Sequence, residues 1–120
     1  TQENPRMTLM FTSFEKKPLI LRIYGEAKTI HRLDEGWDTL SSNFPKSDGS
    51  RQIFDLTISL VQTSCGYAVP YYDFKGERDI LKKWNENAGE KGMQKYWKEN
   101  NAQSLDGIET NIEKKNIERS

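Results

Sequence analysis

The sequence has little cysteine, little histidine and no net charge. Its 120 residues contain one cysteine and one histidine, which excludes an internal disulfide and a zinc site of the common kind. Eighteen basic and eighteen acidic side chains cancel, so no bulk field draws the chain to nucleic acid or to a membrane. The apolar runs are too short for a transmembrane helix, and Thr1 opens no signal-peptide pattern. We therefore expect a cytoplasmic domain that holds no metal and has neither nucleic-acid nor membrane partners.

Three segments show the alternation of apolar and polar residues that predicts half-buried β-strands. Residues 7–11 and 19–30 are expected to pair as an antiparallel hairpin, and residues 53–62 form the clearest strand pattern. Gly25, in the middle of the second segment, indicates a bulge or a close approach of another backbone. Residues 67–74 are aromatic-rich and extended around Pro70, which favours a short edge strand.

The helical patterns follow the strands. Asp34 is a candidate N-cap for a helix that carries Trp37 and Leu40 and stops at Pro45. A second helix runs from residue 76 to Gly89, whose position suits a helix end, and a third covers residues 90–100. The order of elements predicts one domain of the α+β class.

The densest group of polar side chains lies at residues 62–70, directly after the third strand. Ser64, Cys65, Gly66 and Tyr67 are our first candidates for a ligand site, because β-proteins commonly bind ligands at the mouth of a rigid strand. The alternative is a bulge or corner with satisfied side chains. Arg51 and Gln52 add a cation and an amide at the start of the same strand. The charge of Arg6 and of Arg22 must reach solvent, an acid or a ligand, and for each we favour a surface residue whose stem lies along the sheet.

A nucleophilic pair of Cys65 and His31 is the first enzyme hypothesis to consider. No nucleophile elbow or cysteine-protease signature surrounds either residue. A cysteine between Ser64 and Gly66 is more often a small buried filler, and His31, before a charged turn, is predicted at the surface. The pair is therefore disfavoured.

Six short blocks resemble one known family when they are taken together and in order. They are NPRMTLMF (4–11), LRIYG (21–25), GSRQI (49–53), QTSCGYAVP (62–70), GERD (76–79) and NAQSLDG (101–107). In this order the chain resembles a branch of the pyridoxamine 5'-phosphate oxidase-like family, the FMN-binding split barrels. Each block alone is unspecific, whereas six in register are a strong signal.

The resemblance implies a fold and a cofactor. It implies a mainly β or α+β fold, namely an antiparallel split β-barrel, partial in this chain, with three flanking helices. It also implies a homodimer that holds FMN in clefts between its subunits. The family's NPR-type strand usually lies near the middle of the chain, so this sequence is expected to be the C-terminal portion of a longer protein or a truncated relative. We expect a split-barrel domain at residues 1–107, with its missing strands supplied by another segment or subunit, and a polar tail at 108–120.

The family's chemistry does not transfer in full. A glutamine that touches the flavin in the biosynthetic oxidases corresponds here to Ile20, so oxidation of pyridoxamine phosphate is not supported. The resemblance implies a flavin-binding protein, namely a flavin-dependent oxidoreductase of unassigned substrate. The first candidates for lining its flavin cleft are Ser64, Cys65, Gly66 and Tyr67, and the second candidates are Arg51 and Gln52. The alternative is a non-catalytic dimerisation or small-ligand-binding module on the same fold.

The block at 101–107 is expected to dock onto the barrel with Leu105 buried, and the residues beyond it are expected to be frayed.

Overall fold

The described part of the chain contains a three-stranded antiparallel sheet. The computed structural model describes residues 3–117, with strands β1 (Arg6–Thr12), β2 (Ile20–His31) and β3 (Gln52–Ser64) in the order β1-β2-β3. β1 and β2 pair antiparallel from Arg6 opposite Glu26 to Thr12 opposite Ile20. The predicted hairpin is therefore confirmed.

Gly25 lies where another backbone approaches β2 closely. It is buried, and a Cβ at this position would overlap the carbonyl oxygen of Thr57 on β3. Only glycine leaves room for that contact. The close approach that the sequence indicated at Gly25 is confirmed.

Three helices are present in residues 3–117, although not the three expected. They are α1 (Trp37–Ser41), α2 (Ile80–Asn100) and α3 (Ile112–Asn116). Both expected C-terminal helices correspond to α2, which begins at Ile80, four residues later than expected, and is interrupted at Gly89 with a φ of 61°. Asp34 is not the N-cap of α1, since that position belongs to Gly36. The Asp34 carboxylate instead accepts a hydrogen bond of 2.9 Å from the backbone N–H of His31.

The third helix, α3, lies in the tail that we expected to be frayed. Ile112 is only 3% exposed and packs with Met93 and Trp97 of α2. An apolar residue in the tail can therefore be anchored by a preceding helix. The last three residues of the predicted tail, 118–120, lie outside the described residues, as do the first two residues of the chain.

The aromatic segment 67–74 is not a strand. The backbone N–H of Val69 donates to the carbonyl of Gly66 in a turn, and the N–H of Tyr72 donates to the carbonyl of Phe14. These isolated bonds do not form a ladder, so the expectation of an edge strand is wrong. Tyr72 also contacts Phe14 edge to face, with 5.3 Å between the ring centroids.

The chain divides into two compact units. Unit 1 contains the residues up to Thr29 together with Phe54–Glu77, and unit 2 contains Ile30–Ile53 together with the residues from Arg78 onward. β2 and β3 therefore contribute residues to both units. The α+β class is confirmed, whereas closure into a split barrel and the domain boundary at residue 107 stay predictions.

Unit 2 is organised around Arg32. Its Nε and Nη2 donate to the carbonyl oxygens of Ser50 and Asp48, each at 2.6 Å, and its Nη1 donates to Glu90 Oε1 at 2.8 Å. The guanidinium also lies 5.0 Å from the centroid of the Trp97 ring. One side chain thus joins a loop, a helix and the apolar core of this unit.

Unit 1 has little apolar core among its described residues. Ala27 is buried, but larger apolar side chains of β1 and β3 have exposed fractions from 39% for Leu9 to 61% for Met10. The others in this range are Phe11, Phe54, Ile58, Leu60 and Val61. These apolar side chains of the sheet are therefore about half exposed to solvent.

Candidate functional site

The predicted site begins where β3 ends. The Ser64 hydroxyl oxygen accepts a 3.0 Å hydrogen bond from Nη1 of Arg22 on β2. Two residues earlier, Gln62 Oε1 accepts a 3.1 Å bond from the hydroxyl of Tyr24. These bonds tie the end of β3 to the first half of β2.

The three residues after Ser64 have different surroundings. Gly66 is buried, and a Cβ there would lie 2.9 Å from the backbone nitrogen of Leu19. The glycine is thus required by contact with the β1–β2 connection, which is the corner that we gave as the alternative reading of this segment. The Cys65 thiol and the Tyr67 ring are exposed, the latter at 83%. The expectation that Cys65 is a buried filler is wrong, because this residue is exposed.

A shallow cavity of about 220 Å³ lies beside this corner. Residues of the β1–β2 connection and of the segment after β3 line it, among them Lys16, Pro18, Gly66, Tyr67 and Tyr71. Pockets for small molecules are commonly about 300–1,000 Å³. The cavity can accept part of a ring system, and a ligand of flavin size would need walls from a further segment or chain.

Arg51 and Gln52 are bonded within unit 2, whereas Ser64, Cys65, Gly66 and Tyr67 belong to unit 1. The Arg51 guanidinium donates to Asn101 Oδ1 at 2.9 Å. The side-chain nitrogen of Gln52 lies 3.0 Å from Nε2 of His31. Both residues therefore have partners of their own, and a ligand role for them stays a prediction.

His31 is completely buried, so the prediction of a surface histidine is wrong. Its Nδ1 lies 3.3 Å from Asp34 Oδ2, and its Nε2 faces Gln52. Burial lowers the pKa of the His31 imidazole below its ordinary value of 6.5; the Asp34 bond opposes this effect and the charge of Lys115 assists it. The backbone N–H of His31 in turn lowers the pKa of Asp34 below 3.8. Because both ring nitrogens are engaged, His31 is not placed to activate a nucleophile.

Leu105 does not dock as expected. Its side chain is fully exposed, so the prediction that Leu105 is buried is wrong. The expected docking of segment 101–107 rested on that burial. The segment instead forms its own turn, in which the backbone N–H of Gly107 donates to the Ser104 carbonyl at 3.0 Å. Local hydrogen bonds of this kind order a loop without apolar contact.

The interpretation of Arg22 as a plain surface residue missed its contact with Ser64. Alternation along β2 puts Arg22 and Tyr24 on one face, opposite Leu21 and Ile23. That pattern was visible in the sequence. The partner on β3 was not, because the offset between strands that are far apart in the chain depends on the fold.

The described residues offer neither a metal site nor a membrane-spanning helix. In residues 3–117, no group of three or more histidine, cysteine, aspartate or glutamate side chains is arranged to hold a metal ion. No helix in this part of the chain has the length and apolar character needed to cross a bilayer.

Comparison with known proteins supports one family. The chain is 31% identical over 124 aligned positions to the Aspergillus flavus protein named pyridoxamine 5'-phosphate oxidase family protein ustO. This match supports that family. The alignment covers 89% of this chain and 49% of the relative, so the chain spans about half the length of the protein it matches. No family model and no solved structure matches the chain.

The polar side chains at the end of β3 are hydrogen-bond donors of the type that the polar edge of a flavin ring requires. Flavin rings carry carbonyl oxygens and nitrogens that accept hydrogen bonds, and Ser64, Gln62 and Arg22 all present donors at this position. Tyr67 adds an exposed aromatic surface beside them. The chemistry of this donor set therefore suits a flavin, while the cavity volume suits only a portion of one.

Proposed function

We propose that this chain is part of an FMN-binding protein of the pyridoxamine 5'-phosphate oxidase-like family, a flavin-dependent oxidoreductase whose substrate is unassigned. The observation that carries the proposal is the 31% identity to a relative named for that family, across 89% of this chain. The six sequence blocks described above agree with it. That the chain is the C-terminal portion of a split barrel is part of the proposal.

In the proposed site the protein binds and orients the cofactor. A bound flavin supplies the redox chemistry, and the protein supplies hydrogen bonds and exclusion of water. In this proposal Ser64, Cys65, Gly66 and Tyr67 line the cleft, and a flavin contact by Arg51 and Gln52 stays a prediction. The free donors beside Ser64 and the exposed ring of Tyr67 support this assignment.

We propose further that the protein is a homodimer. The exposed apolar side chains of β1 and β3 support this, because association through them would remove apolar surface from water. The shallow cavity beside Gly66 supports it as well, since a second subunit would add the walls that a flavin-sized ligand needs. The single cysteine is exposed and unpaired, which favours a reducing, cytoplasmic setting.

The test is flavin uptake by the full-length protein. We expect a flavin absorbance spectrum after purification, or saturable quenching of FMN fluorescence on titration. Replacing Tyr67 by Ala should weaken FMN affinity roughly tenfold, the scale of one aromatic contact. Phe44→Ala is the matched control, because Phe44 is an exposed aromatic residue of unit 2. Absence of flavin uptake under all of these conditions would overturn the proposal.

Reduction of the bound flavin by NAD(P)H would separate a reductase from a carrier.

The second candidate is the non-catalytic dimerisation or small-ligand-binding module. The exposed sheet favours it, because association through that surface requires no flavin. The engagement of both His31 ring nitrogens also fits it, since the one histidine is unavailable as a general base. A stable dimer in light scattering, combined with no flavin uptake, would select the module over the oxidoreductase.

A further inference from the structure

A second cavity lies in unit 2, between α2 and the segment that contains α3. Its volume is about 910 Å³, which is within the roughly 300–1,000 Å³ of pockets that bind small molecules. Lys91, Gln94 and Lys98 line one side of it, because residues three, four and seven apart share one face of a helix. Residues between 109 and 117 line the other side. We call this cavity the α2–α3 groove.

The base of the groove belongs to the apolar core of unit 2. Ile112 lines the groove, is only 3% exposed and packs with Met93 and Trp97. Beside it, the backbone N–H of Thr110 donates to the carbonyl of Ala102 at 3.0 Å. The two sides of the groove are therefore held together without a ligand, and preorganisation of this kind lowers the cost of binding.

The groove carries one lysine whose ammonium group has no partner. Lys98 Nζ pairs with Glu113 Oε1 at 2.9 Å, and Lys114 Nζ donates to Asn111 Oδ1 at 3.4 Å. Among residues 3–117, Lys91 is the groove lysine that forms neither an ion pair nor a side-chain hydrogen bond. Its positive charge is therefore available to a ligand.

Glu109 is the corresponding carboxylate. The other carboxylate of the groove, that of Glu113, is neutralised by Lys98. In the part of the chain that the structure describes, the Glu109 side chain takes part in no ion pair and no hydrogen bond. Its backbone forms an antiparallel bridge with Gln103, so Glu109 lies beyond the end of α2.

The two unpartnered charges lie toward opposite ends of the groove. Lys91 and Lys98 are seven residues apart on α2, which is about 10 Å along the helix axis, and Glu109 lies past the Lys98 end. A ligand that satisfies both charges needs a carboxylate and an ammonium group at about this separation. An extended tripeptide spans about 10 Å and carries these two groups at its ends.

We propose that the α2–α3 groove binds a short peptide of about three residues with free termini. Its C-terminal carboxylate pairs with Lys91 and its N-terminal ammonium group pairs with Glu109. The side-chain nitrogen of Gln94 donates to Glu90 Oε1 at 3.1 Å, which leaves the Gln94 carbonyl oxygen as an acceptor for a peptide N–H. The inference goes beyond the proposed function, because the groove lies within unit 2, whereas residues 64–67 belong to unit 1.

Titration of the full-length protein with tri-alanine tests the site. Amide chemical shifts are followed by NMR at constant ionic strength, and saturable shifts are expected at the residues that line the groove. Lys91→Met and Glu109→Gln should each raise the dissociation constant at least about threefold, the scale of one exposed ion pair. Lys82→Met and Glu86→Gln are the matched controls and should leave it unchanged, because both residues are exposed on α2 and do not line the groove.

Peptides with blocked termini test the orientation. N-acetylated tri-alanine lacks the ammonium group, so it should bind more weakly and no longer respond to Glu109→Gln, while Lys91→Met still weakens its binding. C-amidated tri-alanine should show the converse. Substitutions that acted only by disturbing the fold would weaken the binding of all these peptides alike. Both substituted residues are exposed, and circular dichroism establishes that each variant is folded.

Three results would overturn the proposal. The first is the absence of saturable tri-alanine binding, and the second is an affinity that neither Lys91→Met nor Glu109→Gln changes. The third is binding of acetate through Lys91 as tightly as tri-alanine, which would make the groove a site for simple anions. None of these results depends on flavin uptake, so this inference and the proposed function can fail separately.

Discussion

The side-chain nitrogen of Gln52 and Nε2 of the buried His31 ring lie 3.0 Å apart. An amide nitrogen can only donate, so Nε2 of His31 must accept and the ring proton must reside on Nδ1, which faces Asp34. The contact therefore selects one neutral tautomer. Protonation of the ring would set two donors against each other in a buried position.

The first prediction follows from that contact. Because the pKa of His31 is lowered in the folded state from its ordinary 6.5, the unfolded chain binds more protons below that pH. The free energy of unfolding should therefore fall as the pH is lowered through 6.5. It should fall again below pH 3.8, as Asp34 loses its charge. Urea unfolding measured at roughly every half pH unit between pH 8 and 3 gives the free energy of unfolding as a function of pH.

Gln52→Glu is the informative variant for this profile. A carboxylate at this position can accept from a protonated ring, so it should raise the pKa of His31 and reduce the loss of stability near pH 6.5. His31→Asn should remove the dependence in that range. If the free energy of unfolding of the unsubstituted protein is constant from pH 8 to about 5, the lowered pKa of His31 in the folded state is contradicted.

The second prediction concerns Gly25. An added Cβ would overlap the Thr57 carbonyl, and neither backbone can move without disturbing the sheet. Gly25→Ala should therefore destabilise the protein by about 2–3 kcal/mol in urea unfolding. Glu26→Ala, at the neighbouring exposed position, should change stability by less than about 0.5 kcal/mol. Equal effects of the two substitutions would show that the close approach has no energetic consequence.

The third prediction concerns Arg32. Lysine keeps the positive charge but cannot reach Ser50, Asp48 and Glu90 at once. Arg32→Lys should therefore cost about 2 kcal/mol in unfolding free energy, the scale of charge-assisted hydrogen bonds that lose their donor. Arg78→Lys, at an exposed position, is the control and should be neutral. A neutral Arg32→Lys would mean that this network contributes little to stability.

The fourth prediction separates two apolar residues near the C-terminus. Ile112 is buried against α2, whereas Leu105 is fully exposed. Ile112→Ala should cost about 2–4 kcal/mol and Leu105→Ala less than about 0.5 kcal/mol, both measured by thermal or urea unfolding. A large effect at Leu105 would restore the docking that the sequence suggested.

The sequence predicted the elements whose signal is local. The alternation in β2 and β3 and the position of Gly89 required no knowledge of distant residues, and each prediction was confirmed. Asp34 was misinterpreted because the same carboxylate can cap a helix or accept from a preceding backbone N–H. The local sequence suits both arrangements.

The candidate site was less predictable because it depends on contacts distant in the chain. Ser64 was chosen for its place after a strand, but its partner Arg22 is separated from it by 42 residues. The side-chain contact of His31 Nε2 is likewise with a glutamine on another strand. Hydrophobic patterning indicates which face a side chain occupies and carries little information about which polar groups meet across that face.

The interruption of α2 at Gly89 divides the helix into two parts that differ in how firmly they are held. Met93 and Trp97, after the interruption, are buried, whereas Ile80 and Leu81, before it, are each 69% exposed. Amide protons in residues 80–88 should therefore exchange with solvent through local opening, well before those of residues 90–100, which require loss of the core. Glycine at position 89 would then mark a boundary between two cooperative folding units within what looks like a single helix.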